Sequence, residues 1–139
     1  MKIMSVDIGD ARTGVAICDK TEFLASPVGV IYERNKERLV EKIAAAAAEQ
    51  KAEMIVVGLP LNMDGTKGEK ALLCEEMSEK IAEKTSLPVH LWDERRSTVE
   101  AHNILTDSGV FGKKRKGTVD AVAATLILEG FLAFRKNNK

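Results

Sequence analysis

Residues 2–18 read KIMSVDIGDARTGVAIC, two apolar runs joined by a glycine-bearing turn. Lys2–Ile8 has the character of a β-strand, and Gly14–Cys18 has it again. The turn Gly9-Asp10-Ala11-Arg12 is short, so the two strands are expected to pair antiparallel. One residue breaks the apolar pattern: Asp7 stands between Val6 and Ile8. A lone carboxylate is costly to bury, so Asp7 must reach a rim, a partner or a cation.

Outward from this hairpin, Leu24–Ile31 reads as a third strand, with Pro27 marking an edge or a bend. Leu39, Val40, Ile43, Ala44 and Ala47 fall on one face of a helix over Lys36–Gln50. Met54–Val57 is an apolar run typical of a buried parallel strand, ended by Gly58-Leu59-Pro60. Thr66-x-x-Glu69 has capping-box spacing and opens a helix that runs through Leu73, Met77 and Ile81 to about Lys84. Pro88–Trp92 is a further short strand. Ser97-x-x-Glu100 is a second capping box, with a helix to about Thr106. Gly109–Gly117 reads as a loop carrying Lys113, Lys114, Arg115 and Lys116. Thr118 then caps a final helix to about Phe134, apolar nearly all round and so expected to be buried. The order β-β-β-α-β-α-β-α-α predicts an α/β fold. Its five-stranded mixed sheet has three antiparallel strands, two parallel additions and helices on both faces.

The chain has 139 residues, 45% hydrophobic and 30% charged, which suits one soluble globular domain spanning 1–139. Aromatics are 4%, so the core must be aliphatic. Basic and acidic side chains balance at 21 each, which excludes a wholly basic coat or an acidic tail. The balance is uneven along the chain. Residues 1–94 carry 12 basic and 17 acidic side chains, whereas 95–139 carry 9 and 4. The last third is therefore the expected docking place for an anionic partner. Cys18 and Cys74 are far apart and form no zinc spacing with His90 or His102, so they read as small apolar fillers in a reducing compartment. No targeting segment or membrane span is legible, and a cytoplasmic location is expected.

Asp93 and Glu94 close the strand that begins at Val89, and Asp120 lies in the first turn of the last helix. Asp7 ends the first strand, and the fourth and fifth strands are expected beside it, so their carboxyl ends share one rim. Ligands bind at that rim in open α/β sheets. Clustered carboxylates repel unless a cation neutralises them, and oxygen ligands without His or Cys suit Mg²⁺ or Mn²⁺. Two such ions ~3.5–4 Å apart can clamp the attacking and leaving oxygens of a phosphodiester. Strand alternation sets Asp93 with Leu91 and Val89, and Glu94 with Trp92 and His90, so only one of the two can serve one metal pair. The sequence pattern does not choose between them. Arg12 and the long loop Gly58–Gly65, which leads into a helix amino terminus, suit a phosphate backbone.

These motifs resemble those of the YqgF (RuvX) family. They are Asp7-Ile8-Gly9-x-x-Arg12-x-Gly14-x-Ala16, Gly58-Leu59-Pro60-x-x-x-x-Gly65-x-x-Gly68, Asp93-Glu94-Arg95 with Ser97-Thr98 and Ala101, and Asp120-x-x-Ala123-Ala124. The resemblance spans nearly the whole chain. It implies a ribonuclease H-like fold and a nuclease that matures the 5′ end of pre-16S ribosomal RNA. Family members are also discussed as resembling Holliday-junction resolvases. Carried over by position, it implies a metal-binding set of Asp7, Glu94 and Asp120, with Asp93 adjacent in support. Arg12, Arg95 and the run Lys113, Lys114, Arg115, Lys116 are the expected phosphate contacts.

The expected cofactor is a pair of Mg²⁺ or Mn²⁺ ions. The expected partner is precursor ribosomal RNA, with the pre-ribosome as a further candidate and branched DNA as the rival substrate. Symmetric cutting of opposed strands would call for a dimer, and the sequence leaves monomer or homodimer open. A sugar-kinase or actin-like phosphate turn is a second rival, but such enzymes use two domains of this kind and no P-loop is present. A third is a non-catalytic RNA-binding or ribosome-assembly module, in which the acidic rim is structural.

Overall fold

The computed structural model describes residues 1–93 and 115–137, with 115–120 described as backbone. Five strands form one sheet: β1 (Ile3–Asp7), β2 (Arg12–Cys18), β3 (Ala25–Tyr32), β4 (Met54–Leu59) and β5 (Val89–Asp93). Helices α1 (Lys36–Gln50), α2 (Glu69–Thr85) and α3 (Arg115–Asn137) cover it. The strand order is β3-β2-β1-β4-β5. β1, β2 and β3 pair antiparallel, and β4 and β5 add in parallel, as the element order predicts. β3 lies at an edge, where the missing N–H of Pro27 is tolerated, and its pairing with β2 shifts register between Val15 and Ala16.

Alternation along each strand sorts the aliphatic residues into two layers. Met4, Val6, Ile8, Val15, Ile55 and Val57 pack with Leu39 and Ile43 of α1 and Met77 and Ile81 of α2. On the other face Ile3, Ala16, Cys18, Val56 and Trp92 pack with Ala124, Ile127, Leu128 and Phe131 of α3. α1 spans the range its periodicity predicts, and the Asn35 side chain caps it by accepting from Arg38 N at 3.0 Å.

Two cap assignments are corrected. Gly68, not Thr66, is the N-cap residue of α2, and it makes no side-chain cap bond. Thr66 is engaged elsewhere: its hydroxyl donates to Asp64 Oδ1 at 2.6 Å and accepts from Asn62 Nδ2 at 2.9 Å. At the last helix, α3 already begins at Arg115. Arg115, Lys116 and Gly117 are therefore helical, and Thr118 lies inside the helix rather than capping it. Lys and Arg are good helix formers, and one glycine costs only about 1 kcal/mol against alanine. The expected helix from Ser97 to Thr106 lies outside the described residues, as does the loop from Gly109 to Lys114.

One contact in the middle of α3 and one near its carboxyl end set its direction. Ser5 Oγ donates to Ala124 O at 2.6 Å. Farther down, Arg135 Nε donates to Glu22 Oε1 at 2.7 Å, and Glu22 also takes the Met1 amine at 3.0 Å. α3 thus runs antiparallel to β1, with its amino end toward the carboxyl end of that strand. Among the described residues no helix is long and apolar enough to cross a membrane.

Candidate active site

Asp7 is the last residue of β1 and is half-buried. It shares its side of the sheet with Ser5 and Ile3, the side that α3 covers. Its partner on β2 is Gly14. On β4, Val57 pairs with Val6, so Gly58 is level with Asp7. A glycine thus lies on each side of the carboxylate in its own row, and no side chain from an adjoining strand crowds it there. The next position in that row is Trp92, the partner of Gly58.

The turn after Asp7 is held in two ways. A Cβ at Gly9 would lie 2.3 Å from the Arg12 carbonyl oxygen, so only glycine fits the close approach. Lys36, at the start of α1, donates from Nζ to Gly9 O at 3.0 Å and to Asp10 O at 3.3 Å. Helical periodicity carries no signal for Lys36, since its partners are backbone carbonyls 27 and 26 residues away. Arg12, half-buried, opens β2 on the same side of the sheet as Gly14 and Asp7.

Position 120 lies one helical turn before Ala124, whose carbonyl Ser5 contacts. Because α3 runs antiparallel to β1, that turn leads toward Asp7. The backbone of α3 and the end of β1 therefore approach the same rim. Asp93 ends β5 at the same rim, paired with Leu59. Trp92 beside it turns to α3, and Val89 packs toward α1 and α2, so alternation sets Asp93 on the opposite side from Asp7. Glu94, Arg95, Lys113 and Lys114 lie outside the described residues, and Arg115, Lys116 and Asp120 are described as backbone. Among the described residues no three His, Cys, Asp or Glu side chains cluster as metal ligands.

The loop after β4 is a compact hairpin on this rim. Leu61 bridges Lys67, and Asn62 N donates to Thr66 O at 2.9 Å. Asp64 Oδ1 accepts from Thr66 N at 2.9 Å. Lys67 pairs with Glu75 of α2 at 2.8 Å. Met63 at its tip is 89% exposed.

The sequence profile of the RuvX family, described as Holliday junction resolvase, matches residues 1–134. The chain belongs to the RuvX family. A relative from Halothermothrix orenii, named "Putative pre-16S rRNA nuclease", is 42% identical over 97% of this RuvX chain and 96% of its own length. One of the same name from Carboxydothermus hydrogenoformans is 36% identical over 99% of this chain and all of its own. The solved structure of T. thermophilus RuvC in complex with Holliday junction substrate superposes with a TM-score of 0.62 at 14% identity, covering 99% of this chain and 96% of that one. At that identity the likeness establishes the fold, which is ribonuclease H-like.

Proposed function

We propose that this RuvX-family chain is a metal-dependent endonuclease that hydrolyses phosphodiester bonds in the 5′-end maturation of pre-16S ribosomal RNA. The observation that carries the reading is the setting of Asp7. It is a half-buried carboxylate at the carboxyl end of the central strand, between two glycine positions, with the amino end of α3 directed toward it. The names of the full-length relatives supply the substrate.

The donor chemistry suits a hard divalent cation: carboxylate oxygens, with no His or Cys in the proposed set. Asp7, Glu94 and Asp120 would hold two Mg²⁺ or Mn²⁺ ions, with Asp93 in support. Its place on the other side of the sheet agrees with that lesser role. When bound, such a pair neutralises developing charge and lowers the pKa of water. The chain's own residues orient the strand. Arg12 and Arg95 neutralise backbone phosphate, and Lys113, Lys114, Arg115 and Lys116 attract and hold the polyanion. Lys36 keeps the turn between Asp7 and Arg12 in one geometry, so carboxylate and guanidinium keep their spacing. The protein would act in the cytoplasm, on RNA alone or within the pre-ribosome.

The family's description as Holliday junction resolvase supports branched DNA as a second substrate. The test is cleavage of a precursor 16S fragment and of a four-way DNA junction, with Mg²⁺ or Mn²⁺ and with chelator. Asp7→Asn is expected to lose cutting and keep binding. Cutting that survives chelator, or equal cutting by the variant, overturns the proposal. A variant that retains the cellular role supports the non-catalytic assembly module instead.

A further inference from the structure

The few aromatic side chains are sorted sharply by the fold. Trp92 and Phe131 are buried between the sheet and α3, and Phe134 leans on Trp92 with ring centroids 5.7 Å apart. Phe23 lies in the β2–β3 turn, at the end of the sheet away from Asp7. Among the described residues the aromatic left on the carboxyl rim is Tyr32, which is 65% exposed.

Tyr32 ends β3 and pairs with Arg12. Its neighbour Ile31 packs into the layer under α1, so Tyr32 emerges on the other side of the sheet, the side of Arg12 and Asp7. Two strand spacings and two residue rises separate its Cα from that of Asp7, about 12 Å. Its backbone is well held. Lys42 Nζ donates to Tyr32 O at 3.4 Å and pairs with Glu33 at 3.0 Å, while Glu33 N donates to Ala11 O at 3.0 Å. An outward ring on a fixed strand end, with the Arg12 guanidinium paired across from it on the same side of the sheet, is the combination that binds unpaired nucleic acid. The ring takes a base face, and the cation tracks the phosphates. A base inside a duplex has both faces covered, so such a ring discriminates against paired strands.

Resting on the nuclease reading of Asp7, we propose that Tyr32 is a base-stacking residue. It holds an unpaired nucleotide of the substrate, whose backbone then crosses Arg12 to reach Asp7. The substrate class is therefore a single-stranded segment, not a continuous duplex.

The test is fluorescence anisotropy in chelator, so that no cutting occurs, with a labelled unpaired RNA, a duplex of equal charge and an abasic strand of equal length. Tyr32→Ala is expected to weaken binding of the unpaired RNA by about 5- to 150-fold. Tyr32→Phe is expected to keep it, because stacking uses the ring and not the hydroxyl. Wild type and Tyr32→Ala are expected to bind the duplex alike, and the abasic strand alike. A Tyr32→Ala variant that binds unpaired RNA as wild type does overturns the proposal, as does an equal loss on the abasic strand. Cleavage that persists in Asp7→Asn would sink the nuclease reading and leave this binding comparison standing.

Discussion

Gly9 is where covalent geometry meets function most directly. Its missing Cβ lets the Arg12 carbonyl close the turn that follows Asp7. Gly9→Ala is expected to destabilise the protein by about 1–3 kcal/mol through backbone displacement, read as a lower urea midpoint at unchanged slope. Lys36→Met removes two hydrogen bonds to the same turn. If Lys36 acts by positioning, kcat for cleavage falls while KM for RNA stays nearly unchanged; a change in thermal stability alone would make it merely structural. Asp7 is legible in the sequence because an acid inside an apolar strand violates burial rules. Lys36 is not, because a lysine at the start of a helix also reads as solvated surface. The Asp93–Glu94 ambiguity is genuine at the level of pattern. It takes the burial of Trp92 under α3 to say which side of the sheet Asp93 leaves.

Among the elements, α1 is readable from hydrophobic period and the sheet arrangement from the order of elements and the rules of connection, while both corrected caps involve polar residues whose spacing misleads. Thr66 has the right spacing to Glu69, yet Asp64 and Asn62 claim its hydroxyl. Local spacing cannot reveal that competition. Long-range ties are equally silent in sequence, and the β2–β3 turn has one. Glu22, in a left-handed backbone conformation at φ 61°, joins this turn to α3 through Arg135. The Arg135 guanidinium is the main cause that holds the Glu22 carboxyl at about 2, well below its ordinary 4.5. The folded state binds this proton less readily than the unfolded chain, so the tie stabilises fully above about pH 4.5. Its contribution fades as pH falls from there toward 2. Thermal unfolding between pH 5 and 2 is expected to show a smaller acid-induced fall in Tm for Glu22→Gln than for wild type, with a lower Tm for the variant near neutrality. Equal pH slopes would refute the assignment.

For the whole molecule, net neutrality conceals a division of labour along the chain. The acidic first 94 residues supply most of the scaffold, and the basic excess lies in 95–139. Nucleic-acid binding is accordingly expected to weaken steeply with salt. Neutralising Lys113 and Lys114 together should flatten the log–log slope by about 0.7 for each single-strand phosphate they cease to neutralise. Anisotropy titrations from low to moderate salt would measure it, and an unchanged slope would remove these lysines from the interface. The doubly wound order is legible because two apolar strands separated by amphipathic helices have few other ways to pack.

α3 acts as a spacer as well as a cover. Ala124 has no exposed surface, and its carbonyl is fixed to Ser5, so the gap between helix and sheet is set by one methyl group. Ala124→Leu adds volume where none is free, at a cost of about 1–3 kcal/mol. It would also prise the helix away from β1 and widen the separation between positions 7 and 120. An uncharged core substitution is therefore expected to lower both melting temperature and turnover, so that fitness at this alanine is governed by tolerance in ångströms and not by polarity.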